Sequence, residues 1–144
     1  MTPSEPSARP SLTFFFPAYN EQENIKQTVE RALAEIGPLV PSIEVLAIDD
    51  GSTDETPKLA DALAAADPRV RVHHQPNRGY GGAIKAGFEN ARGELICFSD
   101  GDLQFDLREM RRLLDRLVEQ RQPVEAVICW RRNRRDPYPR IFTG

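Results

Sequence analysis

The sequence predicts an α/β fold, a Rossmann-like, doubly wound and mainly parallel sheet with helices on both faces. Three observations favour this class. Short apolar runs alternate along the chain with longer segments in which apolar residues recur at helical spacing. Such alternation is typical of βαβ units. Polar clusters follow the apolar runs, and ligands of such sheets bind beyond the carboxyl ends of the strands.

The elements follow in chain order. Strands are predicted over 12–16, 43–48, 70–74, 95–98 and 126–130. Asn20 with Glu23, and Ser52 with Glu55, have the spacing of capping boxes and predict two helix starts. The predicted apolar helix faces are, in order, Ile25, Val29, Ala32, Leu33 and Ile36; Leu59, Ala62, Leu63 and Ala66; Tyr80, Ala83, Ile84, Gly87, Phe88 and Ala91; and Leu107, Met110, Leu114 and Leu117.

Length and composition bound the class of protein. The 144 residues suffice for one domain, or part of one, and the net charge of -3 gives no reason to expect nucleic acid as a partner. No run approaches the roughly 20 apolar residues of a membrane span. Residues 1–10 are rich in Pro and Ser and are expected to be a disordered tail. Cys97 and Cys129 lie in apolar runs and are expected to be buried thiols, which fits a cytoplasmic location.

The most informative cluster is Asp100-Gly101-Asp102, with Gln104 two positions further on. Two carboxylates that share a site repel each other unless a cation lies between them. Carboxylate and amide oxygens suit a hard divalent cation, which leaves positions open for substrate phosphates. The alternative is a turn whose aspartates cap the next helix. The place of the cluster after an apolar strand favours the metal site.

Two further clusters allow two interpretations each. Asp49 and Asp50 precede a glycine, where one carboxylate suffices for a turn and the other is available to accept from a base or a ribose hydroxyl. The glycines of residues 79–84 resemble a dinucleotide fingerprint, but Ile84 occupies the third glycine position. A helix start that presents backbone N–H groups to a phosphate or substrate remains open there.

The remaining polar groups are less specific. His73 and His74 end a strand without metal-ligand spacing and are expected to be ordinary strand-end histidines. The arginines of residues 131–135 follow the last predicted strand, and there phosphate recognition and a solvated face are about equally favoured.

Four motifs in this order resemble glycosyltransferase family 2, in particular the branch that contains dolichyl-phosphate mannose synthases and polyprenyl-phosphate sugar transferases. The resemblance begins at about Leu12 and extends to the end of the chain. The motifs are Phe16-Pro17-Ala18-Tyr19-Asn20-Glu21, Asp49-Asp50-Gly51-Ser52-Thr53-Asp54, Asn77-Arg78-Gly79-Tyr80-Gly81-Gly82-Ala83 and Asp100-Gly101-Asp102-Leu103-Gln104.

The resemblance implies a nucleotide-sugar-binding domain of the GT-A type over residues 11–144, expected to be incomplete at its C-terminus. It implies transfer with inversion from a GDP- or UDP-linked sugar, with Mg²⁺ or Mn²⁺ as cofactor. The implied acceptor is a polyprenyl phosphate, reached at the cytoplasmic face of the membrane by peripheral contact. The implied donor-binding residues are Pro17, Tyr19, Glu21, Asp50, Asp100, Gly101 and Asp102, the metal ligands Asp100, Asp102 and Gln104, and the catalytic residues Asp102 and Arg131.

Two other functions compete with this interpretation. The first is a catalytically incomplete chain that binds nucleotide-sugar or a partner subunit without turnover. It is suggested by the expected truncation and by Trp130, where the related enzymes carry a small residue before the arginine. The second is a phosphohydrolase with Asp100 as nucleophile. This interpretation is weaker than the first, because such enzymes usually carry the acidic pair after their first strand, whereas here the pair follows the fourth predicted strand.

Overall fold

The computed structural model of the chain describes residues 10–101 and 106–118. The described strands are β1 (Leu12–Ala18), β2 (Ile43–Asp50), β3 (Val70–Gln75) and β4 (Leu95–Phe98). The described α-helices are α1 (Ile25–Glu35), α2 (Thr56–Ala66), α3 (Gly79–Asn90) and α4 (Met110–Val118), with short 3-10 helices at Gly37–Leu39 and Leu107–Glu109.

The described strands form one sheet in the order β3-β2-β1-β4, and each neighbouring pair is parallel. The chain therefore moves outward from β1 to β3 and then crosses back to add β4 on the other side of β1. This reversal confirms the doubly wound α/β class. The strand predicted over 126–130 lies outside the described residues.

Three consecutive phenylalanines of β1 contribute to the hydrophobic cores on both faces of the sheet. Side chains alternate along a strand, so Phe14 and Phe16 face one layer and Phe15 faces the other. The first layer contains α1, α2 and the segment from Leu107 to Leu114, and the second contains α3. All three rings are at most 1% exposed, as expected for a strand covered on both faces.

Close packing of α3 on the sheet depends on Gly87. A Cβ atom at this position would lie 2.1 Å from Cε2 of Phe15. The absence of a side chain lets the helix backbone lie directly on the aromatic ring. The ring of Phe15 also lies 5.3 Å, centroid to centroid, from the rings of Phe88 and Phe98.

Strands β1 and β2 extend two residues further than predicted, and β3 extends one. Asp49 and Asp50 are therefore strand residues rather than loop residues. Pro17 also lies within β1, although proline donates no ladder hydrogen bond. Its position is tolerated because the pairing of β1 with β4 ends at Phe15, so that among the described strands Pro17 pairs with β2 alone.

Both predicted capping boxes are wrong. Helix α1 begins at Ile25 after a turn, and Asn20 has a φ of 51°. Its carboxamide accepts from the backbone N–H of Thr53 (2.8 Å) instead of capping its own helix. Helix α2 begins at Thr56, whose N–H donates to Asp54 (2.9 Å). The side chain of Ser52 accepts from the N–H of Asn20. Ser52 therefore makes a contact between two loops instead of capping α2.

The predicted apolar face of α2 is largely wrong. Thr56 and Ala60 are the buried residues of this helix, whereas Leu59 is 36% exposed. In an alanine-rich helix several faces can pack closely, and here the hydrogen bond from Glu21 N–H to the Thr56 hydroxyl (2.9 Å) fixes the rotation. Ala62 and Ala66 are exposed, and Leu63 is partly buried against the core.

The other helix faces agree better with prediction. Helix α1 buries Ile25, Val29 and Ala32. Helix α3 buries Ala83 and Gly87 as predicted and Ala86 in addition, while Tyr80 and Phe88 are 59% and 48% exposed. Leu107, Met110 and Leu114 are buried. Among the described helices, none is both long enough and apolar enough to span a membrane.

Candidate functional site

A cavity of about 460 Å³ opens beyond the carboxyl ends of β1, β2 and β4. It lies where the chain reverses direction between β1 and β4, the place at which doubly wound sheets bind ligands. Its walls come from the ends of these strands, from the segment before α3 and from the first turns of that helix. They consist of Pro17, Ala18, Tyr19, Glu21, Asp50, Asn77, Gly79, Tyr80, Ala83, Asp100 and Gly101.

Asp50 provides a carboxylate at the base of this cavity. It is 4% exposed and lies at the end of β2, on the face of the sheet that packs against α3. Its Oδ1 accepts hydrogen bonds from Gln75 Nε2 (2.9 Å) and from the backbone N–H of Arg78 (2.8 Å). These two donors hold the carboxylate in one orientation.

Asp49 lies on the opposite face of the same strand and takes no part in the cavity wall. Its Oδ1 accepts from the backbone N–H of Ser52 (3.0 Å), and its Oδ2 lies 2.8 Å from Nδ1 of His74. Nε2 of that imidazole lies 2.9 Å from Oδ1 of Asp61 in α2. The hydrogen bond to Asp49, followed by the one to Asp61, raises the pKa of His74 above its usual value. Asp49 therefore ties β2 to β3 and α2.

The loop after β1 is held against the loop after β2 by reciprocal hydrogen bonds. Besides the contacts of Asn20 with Ser52 and Thr53, the side chain of Gln22 accepts from the backbone N–H of Glu55 (3.1 Å). These bonds join segments about 33 residues apart in sequence. They hold the loop that carries Tyr19, a residue that is 50% exposed and lines the cavity.

Gly51 permits the close approach of the loops after β2 and β3. Its φ is +73°, a conformation that side chains other than glycine rarely adopt. A Cβ atom there would lie 2.6 Å from the backbone nitrogen of Asn77. The glycine thus places Asn77 at the cavity wall, where its Oδ1 accepts from the N–H of Gly79 (3.1 Å).

Asp100 and Gly101 close the cavity on the β4 side. The hydroxyl of Tyr80 donates to Oδ1 of Asp100 (3.0 Å), and burial, followed by this hydrogen bond, raises the pKa of Tyr80. The carbonyl oxygen of Gly101 accepts from the hydroxyl of Thr28 (3.0 Å), a side chain that is 1% exposed. Thr28 thus connects the segment after β4 to α1.

The predicted metal site is described only in part. Asp100 is exposed at the cavity mouth, and Asp102 and Gln104 lie outside the described residues. Within 10–101 and 106–118, no group of three His, Cys, Asp or Glu side chains has the geometry of a metal site. The chemistry of the predicted donor set, two carboxylates and an amide oxygen, fits Mg²⁺ or Mn²⁺.

The predicted donor-binding residues that the structure describes all line this one cavity: Pro17, Tyr19, Glu21, Asp50, Asp100 and Gly101. Arg131 lies outside the described residues, as does Asp102. Sequence reasoning assigned no role to Thr28, Gln75 or Asn77. Thr28 had a detectable signal, because it is a polar residue within the apolar face of α1. The hydrogen bond of Gln75 depends on strand pairing with Asp50 and left no local signal.

Comparison with known proteins gives a family match. The family model described as "Glycosyl transferase family 2" matches residues 13–142. "Glycosyltransferase AglD" of Haloferax volcanii is 39% identical over 109 residues, which are 74% of this chain and 18% of that protein. "Dodecaprenyl-phosphate galacturonate synthase" of Rhizobium johnstonii is 32% identical over 135 residues, 92% of this chain and 39% of that protein.

A third relative is "Undecaprenyl-phosphate 4-deoxy-4-formamido-L-arabinose transferase" of Pseudomonas paraeruginosa, 37% identical over 127 residues, 87% of this chain and 37% of that protein. The chain therefore spans 18% to 39% of the length of these curated relatives. Among solved structures, the mannosyltransferase PcManGT from Pyrobaculum calidifontis, in complex with GDP-Man and Mn²⁺, matches with a TM-score of 0.66 at 25% identity. That match covers 83% of this chain and 34% of the other.

Proposed function

Because the chain belongs to glycosyl transferase family 2, we propose that it is the donor-binding domain of a metal-dependent, inverting glycosyltransferase. The donor is a nucleotide-sugar, linked to GDP or UDP. The acceptor is a polyprenyl phosphate, which requires peripheral contact at the cytoplasmic face of a membrane. Two of the relatives carry dodecaprenyl or undecaprenyl phosphate in their names, and a similar solved structure holds GDP-Man with Mn²⁺.

The observation that carries this proposal is that the predicted donor-binding residues described by the structure line one cavity. In this proposal Pro17, Tyr19 and Glu21 line the nucleotide pocket, and Asp50 accepts from the base or the ribose. Asp100 and Gly101 face the diphosphate. These residues come from the ends of three strands that are far apart in sequence, yet they border one space. A cavity of about 460 Å³ lies in the range of small-molecule sites.

Asp100, Asp102 and Gln104 would hold the divalent cation. Bound there, the cation supplies Lewis-acid stabilisation of the charge that develops on the departing nucleoside diphosphate. In this proposal the catalytic residues are Asp102, which would act on the donor diphosphate, and Arg131, which would bind the acceptor phosphate. A guanidinium pairs with phosphate in bidentate geometry.

A phosphate acceptor fits the chemistry of an inverting transfer. A sugar hydroxyl needs a positioned general base before it can attack the anomeric carbon. A phosphate monoester is mostly ionised near neutral pH, because its second pKa is about 6. Its oxygen attacks the anomeric carbon from the side opposite the leaving diphosphate, and the C–O bond to that diphosphate breaks. Such an acceptor needs placement rather than deprotonation.

Transfer of labelled sugar from UDP- and GDP-linked donors to a polyprenyl phosphate tests the proposal. Product that requires Mg²⁺ or Mn²⁺, and that disappears in an Asp102→Asn variant with unchanged circular dichroism, is the expected result. Full activity of that variant would contradict the assignment. Donor binding without transfer would favour the alternative of a chain that binds nucleotide-sugar without turnover.

A further inference from the structure

We propose that Tyr80 is a positioning residue for the divalent cation, because its hydroxyl holds the Asp100 carboxylate by one oxygen and leaves the other oxygen to the cation. This inference rests on the proposed function, in which Asp100 is a metal ligand, and it adds Tyr80 to that site. The hydroxyl of Tyr80 donates to Oδ1 of Asp100 (3.0 Å), and both residues line the cavity. The hydrogen bond joins the first turn of α3 to the segment after β4, 20 residues later in the chain.

Core packing does not account for the place of the Tyr80 ring. The sequence predicts this residue on the apolar face of α3, but it is 59% exposed. The hydrophobic core on this side of the sheet takes Ala83 and Ala86 from α3 instead, with Ile84 packed against it. Within residues 10–101 and 106–118, the hydrogen bond to Asp100 is the one recorded for the Tyr80 side chain. The tyrosine is therefore explained by what its hydroxyl does to Asp100.

The Asp100 carboxylate is held by this contact. Asp100 is exposed, and in the described part of the chain the recorded partner of its side chain is Tyr80, which binds Oδ1. Its Oδ2 has no recorded partner in the same part of the chain. An exposed aspartate loses rotational freedom when it binds an ion, and a side chain that is already held in one orientation loses less. The hydroxyl of Tyr80 therefore makes binding of the cation by Asp100 more favourable.

The Tyr80 hydroxyl keeps its proton at neutral pH and can act as the donor. Burial, followed by the hydrogen bond to Asp100, raises the pKa of Tyr80 above its usual value of 10.0. Hydrogen-bond partners of this kind orient the ligands of a metal, and their removal weakens metal binding by about 10- to 100-fold. Because Asp100 is exposed, we expect the effect of Tyr80 at the lower end of this range.

The test is calorimetric titration of the full chain with Mn²⁺ at a saturating concentration of UDP or GDP, whichever the wild type binds, with the heats of Mn²⁺ and nucleotide alone subtracted. Tyr80→Phe keeps the ring, removes the hydroxyl and should weaken Mn²⁺ binding about ten-fold. Its urea unfolding should stay close to that of the wild type, because an exposed hydrogen bond contributes little to folding. The control Phe88→Tyr makes the reverse exchange at an exposed ring later in α3 and should leave Mn²⁺ affinity unchanged.

A double-mutant cycle with Asp100→Ala separates a role through Asp100 from a general effect on the cavity. Once the carboxylate is removed, Tyr80→Phe should have no further effect on Mn²⁺ affinity. An equal loss in both backgrounds would overturn the inference, as would unchanged or tighter Mn²⁺ binding by the single variant Tyr80→Phe. Either result leaves the proposed function intact, since the wild type still binds Mn²⁺ with the nucleotide. Binding of neither Mn²⁺ nor nucleotide by the folded wild-type chain would overturn the proposed function as well.

Discussion

Asp49 and Asp50 are neighbours in β2, yet their carboxylates lie on opposite faces of the sheet. Asp49 binds the backbone N–H of Ser52 and the ring of His74, whereas Asp50 faces the cavity and binds Gln75. Since side chains alternate along a strand, two consecutive acidic residues at a strand end can serve two purposes. One holds the strands and helices together, and the other is presented to a ligand.

This division predicts different outcomes for two matched substitutions. Asp50→Asn replaces the acceptor offered to the ligand and should weaken nucleotide binding by about ten-fold or more, with a small effect on stability. Asp49→Asn should destabilise the fold by about 1–2 kcal/mol and leave binding by the folded fraction nearly unchanged. Titration calorimetry and urea unfolding of both variants check this. Equal effects of the two substitutions on binding would contradict the division.

The contacts of His74 predict that stability depends on pH. Its pKa is raised in the folded state, mainly by the hydrogen bond to Asp49, so the folded protein binds this proton more tightly than the unfolded chain does. The resulting stabilisation is fully present below the usual value of 6.5 and is lost as the pH rises through the higher folded-state pKa.

Urea unfolding of the wild type and of His74→Gln, measured from about pH 5.5 to about pH 8.5, checks this dependence. The stability difference between the two proteins should shrink as the pH rises. A difference that stays constant over this range would show that the charge of His74 contributes nothing to folding.

Gly51 is predicted to be sensitive to substitution and Gly81 tolerant. Gly51→Ala places a Cβ atom 2.6 Å from the backbone of Asn77 in a left-handed conformation, and should destabilise the protein by about 1–3 kcal/mol. Gly81 lies in the first turn of α3, and an added Cβ would meet nothing within 4 Å apart from its chain neighbours and the backbone of its own helix, so Gly81→Ala should stabilise by about 0.5–1 kcal/mol. Thermal and urea unfolding measure both. Destabilisation by Gly81→Ala would refute the described helix geometry.

The hydroxyl of Thr28 is predicted to position the segment after β4. Thr28→Val keeps the shape but removes the hydroxyl that lies 3.0 Å from the carbonyl oxygen of Gly101 and 3.1 Å from that of Asn24. The protein should lose about 1–2 kcal/mol of stability and bind nucleotide more weakly. Thr28→Ser keeps the hydroxyl and should preserve binding. If both variants bind nucleotide as the wild type does, Thr28 has no positioning role.

The architecture was predictable because the distribution of apolar residues along the chain indicates which segments are strands and which are helices. Phe14, Phe15 and Phe16 are apolar without alternation, which indicates a strand covered on both faces. In a parallel sheet the helices that connect the strands provide this cover. The position of the site was predictable from the parallel sheet itself. In a parallel sheet the carboxyl ends of the strands share one edge, so motifs after each strand must converge.

The local predictions that failed concern polar side chains that form hydrogen bonds with residues distant in sequence instead of with their neighbours. Asn20 and Ser52 have the spacing of helix caps, but each found a partner on the other's loop. In α2, the burial of Thr56 in place of Leu59 follows from a hydrogen bond to Glu21, 35 residues earlier in the chain. Contacts of this kind form only after the strands are in place, so sequence spacing alone does not contain them.

The central claim is that the cavity binds a nucleotide through a divalent cation, and one titration tests it most directly. UDP and GDP are added to the full chain with Mn²⁺ and then with a chelator, for the wild type, Asp100→Asn and Asp50→Asn. The account predicts saturable binding to the wild type that the chelator abolishes and that each substitution weakens. No binding by a folded wild-type chain, or binding indifferent to chelator and to both substitutions, would contradict it.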